Sequence, residues 1–256
     1  MLHEQVIDVS ASLQPWVSQI TTTSEGAGQI MLDQPDHAAT LVLRTMPGDE
    51  VALHLVGPQT KARYHLGTPG LVRVNMRLHP GRARLLLDRP PRDLVDQVLS
   101  LPVTHEREGG FVNLSAEVRR LAEALVDGVP VSGKDLDRSR LVTAASDMLV
   151  TADIQASARR LHVSERHLRA AFVGEVGLPP KKFARIERIR RVLESGRANT
   201  WTDTALEAGY YDHSHMTFEF RSIMGTSPSV FFGGLRSGVH CKGTFERAVE
   251  VVDPRM

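Results

Sequence analysis

The sequence predicts an α+β protein: a β-rich N-terminal domain, barrel or sandwich, followed by an all-helical C-terminal domain with two helix-turn-helix units. Three observations predict it. Up to about Gly81, short β-branched and apolar runs alternate with tight-turn signals. After Gly133 the apolar residues recur at helical spacing. Between the two, Asp127–Gly133 (DGVPVSG) breaks both patterns with Gly and Pro, as a linker does. A chain of 256 residues suffices for two cores, and 41% hydrophobic with 24% charged residues is the balance of a globular protein.

In chain order, Ala39–Met46, Val51–Gly57 and Leu71–His79 read as strands, with Pro47-Gly48-Asp49 and Pro69-Gly70 as turns. In the third, Val72, Val74, Met76 and Leu78 alternate with Arg73, Asn75, Arg77 and His79, which predicts one buried and one polar face. Arg82–Leu87, Arg92–Leu101 and Phe111–Val126 are expected as helices.

Past the linker, Asp137–Val150 is a supporting helix. Asp153 caps a second helix carrying Ile154, Ala158 and Leu161. Ser164 caps a third, Glu165–Val176, with Leu168, Phe172 and Val176 inward and Gly177 at its end. Arg166, Arg169, Ala170 and Val173 are left outside. Pro180–Glu194 is a basic helix packed through Phe183, Ile186, Ile189 and Val192. Asp212 or Ser214 caps a further helix with Met216, Phe220 and Ile223 inward; Gly225 stops it and Pro228 opens another. The tail to Met256 is left without assignment.

The stretch AGYYDHSHMTFEFRSIMGTSPSVFF resembles the second helix-turn-helix of the AraC/XylS family of transcription regulators. Gly209, Tyr210, Asp212, Ser214, His215, Met216, Phe220, Arg221, Gly225, Ser227 and Pro228 match its signature in register. Ala158, Val163, Ser164, Leu168, Phe172, Gly177 and Pro179 match the first unit, with His162 in place of the turn glycine. The segment from Leu78 through RARLLLDRPPRDLVDQVLSL is similar to the sensor half of some members. The resemblance implies a sensor or dimerisation domain at 1–128, a linker at 129–133, a DNA-binding domain at 134–234 and a tail at 235–256. It implies no catalysis and no cofactor. Double-stranded DNA and RNA polymerase are the implied partners, activation being the commoner mode, with a small-molecule effector and a homodimer left open.

The outward residues fit that reading. Arg166, Arg169 and Ala170 in the first unit, and His213, Ser214, Thr217 and Phe218 in the second, are the candidate base contacts. Phe218 stands where members usually carry a basic residue, which suggests contact with a thymine methyl or a unit that binds mainly backbone. Ser164, Lys181, Lys182 and Arg221 are candidate phosphate contacts. About 19 Lys and Arg against about 15 Asp and Glu follow Gly133, a positive lean suited to a polyanion. Arg44, His54, Tyr64 and Arg73 are candidates for an effector pocket, against the plainer reading of polar strand positions.

Composition and motifs exclude several classes. There is no apolar run of membrane-spanning length, so no membrane partner is expected and the cytoplasm is the expected compartment. Cys241, the single cysteine, rules out an internal disulfide and a cysteine-rich zinc site. His213 and His215 are two apart and do not share a helix face, so no metal is expected. The rival reading is a ligand-binding or enzymatic β-barrel whose helical domain no longer reads DNA.

Overall fold

The computed structural model describes residues 5–28, 30–46, 51–87, 89–101, 120, 122–124, 126–127, 129–195 and 200–233. Its N-terminal half holds β1 (Gln5–Ile7), β2 (Val17–Ser24), β3 (Ile30–Asp33), β4 (Thr40–Thr45), β5 (Ala52–Val56), β6 (Arg63–Leu66), β7 (Val72–Leu78) and β8 (Val98–Leu101). Six of these form an antiparallel sheet in the order β1-β2-β7-β4-β5-β8, while β3 and β6 pair separately. Among the described residues β1 and β8 lie at opposite edges, so these strands form an open two-sheet arrangement.

The alternation in β7 sets the layers. Val74, Met76 and Leu78 are buried with Leu41 and Leu43 of β4 and Leu53 and Leu55 of β5, against Leu13, Trp16, Leu94 and Ala83 of α1 (Arg82–Leu87). The opposite face, expected to be polar and open, is largely covered. Asp33 of β3 meets Arg73 at 2.8 Å, and Asp36, just beyond β3, meets Arg77 at 2.8 Å.

The helix expected over Arg92–Leu101 is not formed. Pro91–Leu94 is a 3₁₀ turn, and Val98–Leu101 is β8, paired with β5 through Leu53↔Leu101 and Leu55↔Leu99. Asp96 turns the chain at φ 60°, its carboxylate accepting from the Thr60 amide and hydroxyl at 2.7 Å each. The apolar residues at helical spacing therefore belong to two elements with a reversal between them. Of the helix expected over 111–126, positions 111–119 lie outside the described residues; 122–124 are helical.

The C-terminal half comprises α2 (Gly133–Thr151), α3 (Ile154–Arg160), α4 (Glu165–Val176), α5 (Pro180–Ser195), α6 (Trp201–Glu207), α7 (His213–Met224) and α8 (Pro228–Gly233). Ser132 and Asp135 form a reciprocal capping box at the start of α2. The bonds from Ser132 and Arg84 hold the Asp135 carboxyl at about 2. Helix α6 was not foreseen; it is short and polar, begun by Thr200 accepting from Asp203 and anchored by fully buried Ala205.

Helix α5 serves two cores. Phe183 and Ile186 pack with Leu168, Phe172 and Val142, whereas Ile189 and Val192 pack with Met216, Phe220 and Phe231. One continuous apolar stripe thus splints the two helical units.

The N-terminal domain is seated on both units. Gly81 donates to the Glu175 carbonyl at 2.8 Å, and Ala62 donates to that of Ile223 at 2.9 Å. The Tyr64 hydroxyl donates to the Met224 carbonyl at 2.9 Å. These carbonyls end α4 and α7 and have no partner within their own helices. Between these contacts, Asp36 pairs with Arg190 at 3.2 Å and His37 with Glu187 at 3.0 Å, the His37 ring lying 4.1 Å from that of Phe183. Gly177 (φ 80°) approaches so closely that a Cβ there would meet the Pro91 carbonyl at 2.4 Å. A cavity of about 30 Å³ remains along this seam, lined by His37, Arg77, His79 and Glu175 among others, room for a water molecule and not for an organic ligand.

Candidate nucleic-acid interface

Both candidate recognition helices are framed in the same way. Ser164 accepts from the His167 amide at the start of α4, and Asp212 from that of His215 at the start of α7. Gly177 and Gly225 close them in the left-handed conformation. Leu168, Phe172 and Val176 are buried in α4, as are Met216, Phe220 and Met224 in α7. Each helix is therefore fixed on one side and free on the other.

The free sides carry the residues expected there. Arg166, Arg169 and Ala170 are exposed on α4, and His213, Ser214 and Phe218 on α7, with Thr217 partly covered. Arg169 is lightly held by Glu165 at 3.3 Å, an exposed pair that duplex DNA can displace. Lys181, Lys182, Arg221 and Ser164 are exposed as well. Three further cations of α5 are otherwise engaged: Arg185 and Arg188 meet Glu219 at 2.9 and 3.2 Å, and Arg190 meets Asp36. Their charge supports the fold more than it faces solvent.

Glu219 was missed by the sequence reading. It lies beside the apolar stripe of α7 and is only 6% exposed. It joins α7 to α5 through the two arginines, with His215 at 3.7 Å. Arg188 also lies over the Tyr210 ring at 5.1 Å; burial and the neighbouring Glu219 push that phenol up. An acid four residues after His215 was the one available signal.

The turn of the first unit carries a strained residue. His162 adopts φ 55°, where the second unit has Gly209 at φ 85°. His162→Gly removes the steric penalty of the left-handed conformation, partly offset by backbone entropy, and should raise stability by up to about 1 kcal/mol. A lower urea midpoint for the variant would show that the imidazole contributes more than its backbone conformation costs.

The four candidate pocket residues do not converge. Arg44 and Arg73 are register partners across β4 and β7. His54 lies on neighbouring β5, with Ser100 at 3.2 Å from its Nδ1. Arg73 is engaged by Glu25, Asp33 and His65. Burial and then the charge of Arg73 lower the Arg44 pKa; burial and then Arg44 lower that of His54. Tyr64 lies elsewhere, at the end of α7. No group of three or more potential metal ligands occurs among the described residues.

Residues 157–233 match a family model described as a helix-turn-helix domain. Among solved structures, ToxT from Vibrio cholerae O395 is 10% identical, covering 88% of this chain and 100% of its own, with a TM-score of 0.48. Unsaturated fatty acid bound wild-type ToxT from Vibrio cholerae strain SCE256 is 9% identical over 90% and 94%, at 0.43. A DNA-binding transcriptional dual regulator from Escherichia coli K-12 is 18% identical over 37% and 92%, at 0.32. These likenesses are too loose to bear on ligands or partners. No curated protein matches the chain. Paired capped helices with free outer faces, within a matched helix-turn-helix span, define a DNA-binding module. Residues 157–233 of this chain are a helix-turn-helix domain of the kind that family model describes.

Proposed function

We propose that the chain is a sequence-specific transcription regulator that places α4 and α7 in successive major grooves on one face of a duplex. The observation that carries this is the shared framing of the two helices by N-cap, buried side and left-handed cap, with α5 packed into both cores. Arg166 and Arg169 read base edges in the first groove, and His213, Ser214, Thr217 and Phe218 in the second. Ser164, Lys181, Lys182 and Arg221 hold phosphates. RNA polymerase is the partner recruited, and the cytoplasm is the compartment.

The β-domain is read as the input. Its contacts with the ends of both recognition helices favour a role in setting their relative orientation. Arg44, with His54 nearby, makes an anionic small molecule the kind of effector this sheet face would suit, Arg73 being already paired with Glu25 and Asp33.

Selection of bound fragments from a random duplex pool tests the proposal, and two variants sort the contacts. Arg169→Ala should relax base preference at one or two positions by about 1–3 kcal/mol. Lys182→Ala should weaken binding to all sequences alike and flatten the salt dependence. Equal behaviour of the two variants on a panel of mutated sites would remove the distinction; absence of any enriched sequence would remove the function.

A further inference from the structure

The two recognition helices share one frame and present different chemistry. We infer that the site they read is asymmetric: a guanine-bearing half under α4 and a thymine-rich half under α7, recognised through C5 methyl groups. This rests on the proposed reading that both helices enter major grooves.

Aligned on their N-caps and closing glycines, Arg166 corresponds to Ser214, Arg169 to Thr217, and Ala170 to Phe218. Where α4 offers two guanidinium forks, α7 offers two hydroxyls and a phenyl ring. Guanine shows two acceptors in the major groove and suits a bidentate arginine; thymine shows one acceptor and a methyl. Phe218 has nothing to donate and is 71% exposed in the middle of its helix face. An apolar ring left in water there gains free energy from a ligand with an apolar surface, and in the major groove the thymine methyl is that surface.

A second difference lies in the turns. Val163 donates to the Ala158 carbonyl at 3.0 Å, and Tyr210 donates to that of Ala205 at 2.8 Å, so the turns begin alike. The N-cap then follows at once in the first unit, whereas Tyr211 intervenes in the second. That extra residue is 91% exposed at the N-terminal end of α7, the end of a recognition helix that meets base edges. The second unit therefore carries aromatic surface at the start and middle of its free side, and Arg221 is the cation beyond it.

The test uses the full chain and a site enriched from a random duplex pool, with thymines replaced by uracil one half at a time, which removes only the methyls. Replacement in the α7 half should weaken binding about fourfold per contacted methyl, the worth of one buried methylene, while replacement in the α4 half has little effect. Phe218→Ala should erase the thymine–uracil difference yet keep guanine preference in the other half; Arg169→Ala should do the reverse. Equal affinity for thymine and uracil sites overturns the inference while leaving DNA reading intact, and the aromatic face would then serve a protein partner. Failure to enrich any site overturns the proposed function and this inference together.

Discussion

Glu219→Ala should lower the unfolding free energy of the helical domain by about 2–3 kcal/mol, measured by urea denaturation. Removing one partner of a buried ion pair costs about 3–5 kcal/mol, because the remaining charge is stranded. Arg188 is 17% exposed and would be stranded in this way; Arg185, at 32%, can turn toward water, which lowers the figure. Glu219→Gln keeps shape and hydrogen bonding and should lose less. In an Arg185→Ala, Arg188→Ala background the same alanine change should become neutral or stabilising, since it then removes a buried carboxylate that has lost both arginine partners. DNA binding should also fall in the single variant, because Glu219 fixes the angle between α7 and the connecting helix. An unchanged midpoint would mean that the apolar contacts of Met216 and Phe220 fix that angle unaided.

Asp36→Ala should loosen the N-terminal domain from the helical domain without unfolding either one. The Asp36 carboxylate receives Arg77 at 2.8 and 2.9 Å and Arg190 at 3.2 Å, joining β7 to α5. Its loss leaves two guanidinium groups facing each other, a change of about 2 kcal/mol for partly exposed pairs. Hydrogen exchange should report it as faster exchange at the Ala62 and Gly81 amides, which bond across the seam, with protection in α4 and α7 retained. Unchanged exchange at both amides would show that the seam does not depend on this carboxylate.

Acid should act in the same direction. Burial opposes the charge on Asp36, but the bond from Arg77, its charge and that of Arg190 hold the carboxyl well below the usual range. Its contribution is therefore present above its ordinary value and lost as pH falls through the depressed one. Burial, outweighing the opposing bond to Glu187, lowers the His37 pKa below 6.5. The free imidazole gains a proton near 6.5 while the docked one resists, so docking weakens as pH falls below that value. Glu175 runs the other way: burial raises its carboxyl, so its docked state is favoured as pH falls through the carboxylate range. Between pH 7 and 5.5 the His37 effect should dominate, and exchange at Ala62 and Gly81, corrected for intrinsic rates, should rise.

The helical domain was legible because its rules are local. Ser164 and Asp212 cap the helices that follow them, and Gly177 and Gly225 close them. Leu168, Phe172, Met216 and Phe220 mark the buried sides by spacing alone. The same rules misread Arg92–Leu101, where apolar residues at helical spacing straddle Asp96 and the second part pairs with β5. A strand partner more than forty residues away leaves no trace in local periodicity. Arg73 and Arg77 looked like solvent-facing alternates because nothing in β7 announces that Asp33 and Asp36 will lie against them.

By itself, the sequence determined the two capped helices α4 and α7, their free faces and the helix between them, because capping, turn chemistry and apolar spacing act over a few residues. The tertiary structure alone decided which cations remain for a polyanion and which are taken. Arg185 and Arg188 go to Glu219 and Arg190 goes to Asp36, whereas Arg166, Lys181 and Lys182 stay in solvent. Charge partners are chosen by distance in space, and that distance is set only when the domains and their cores have packed.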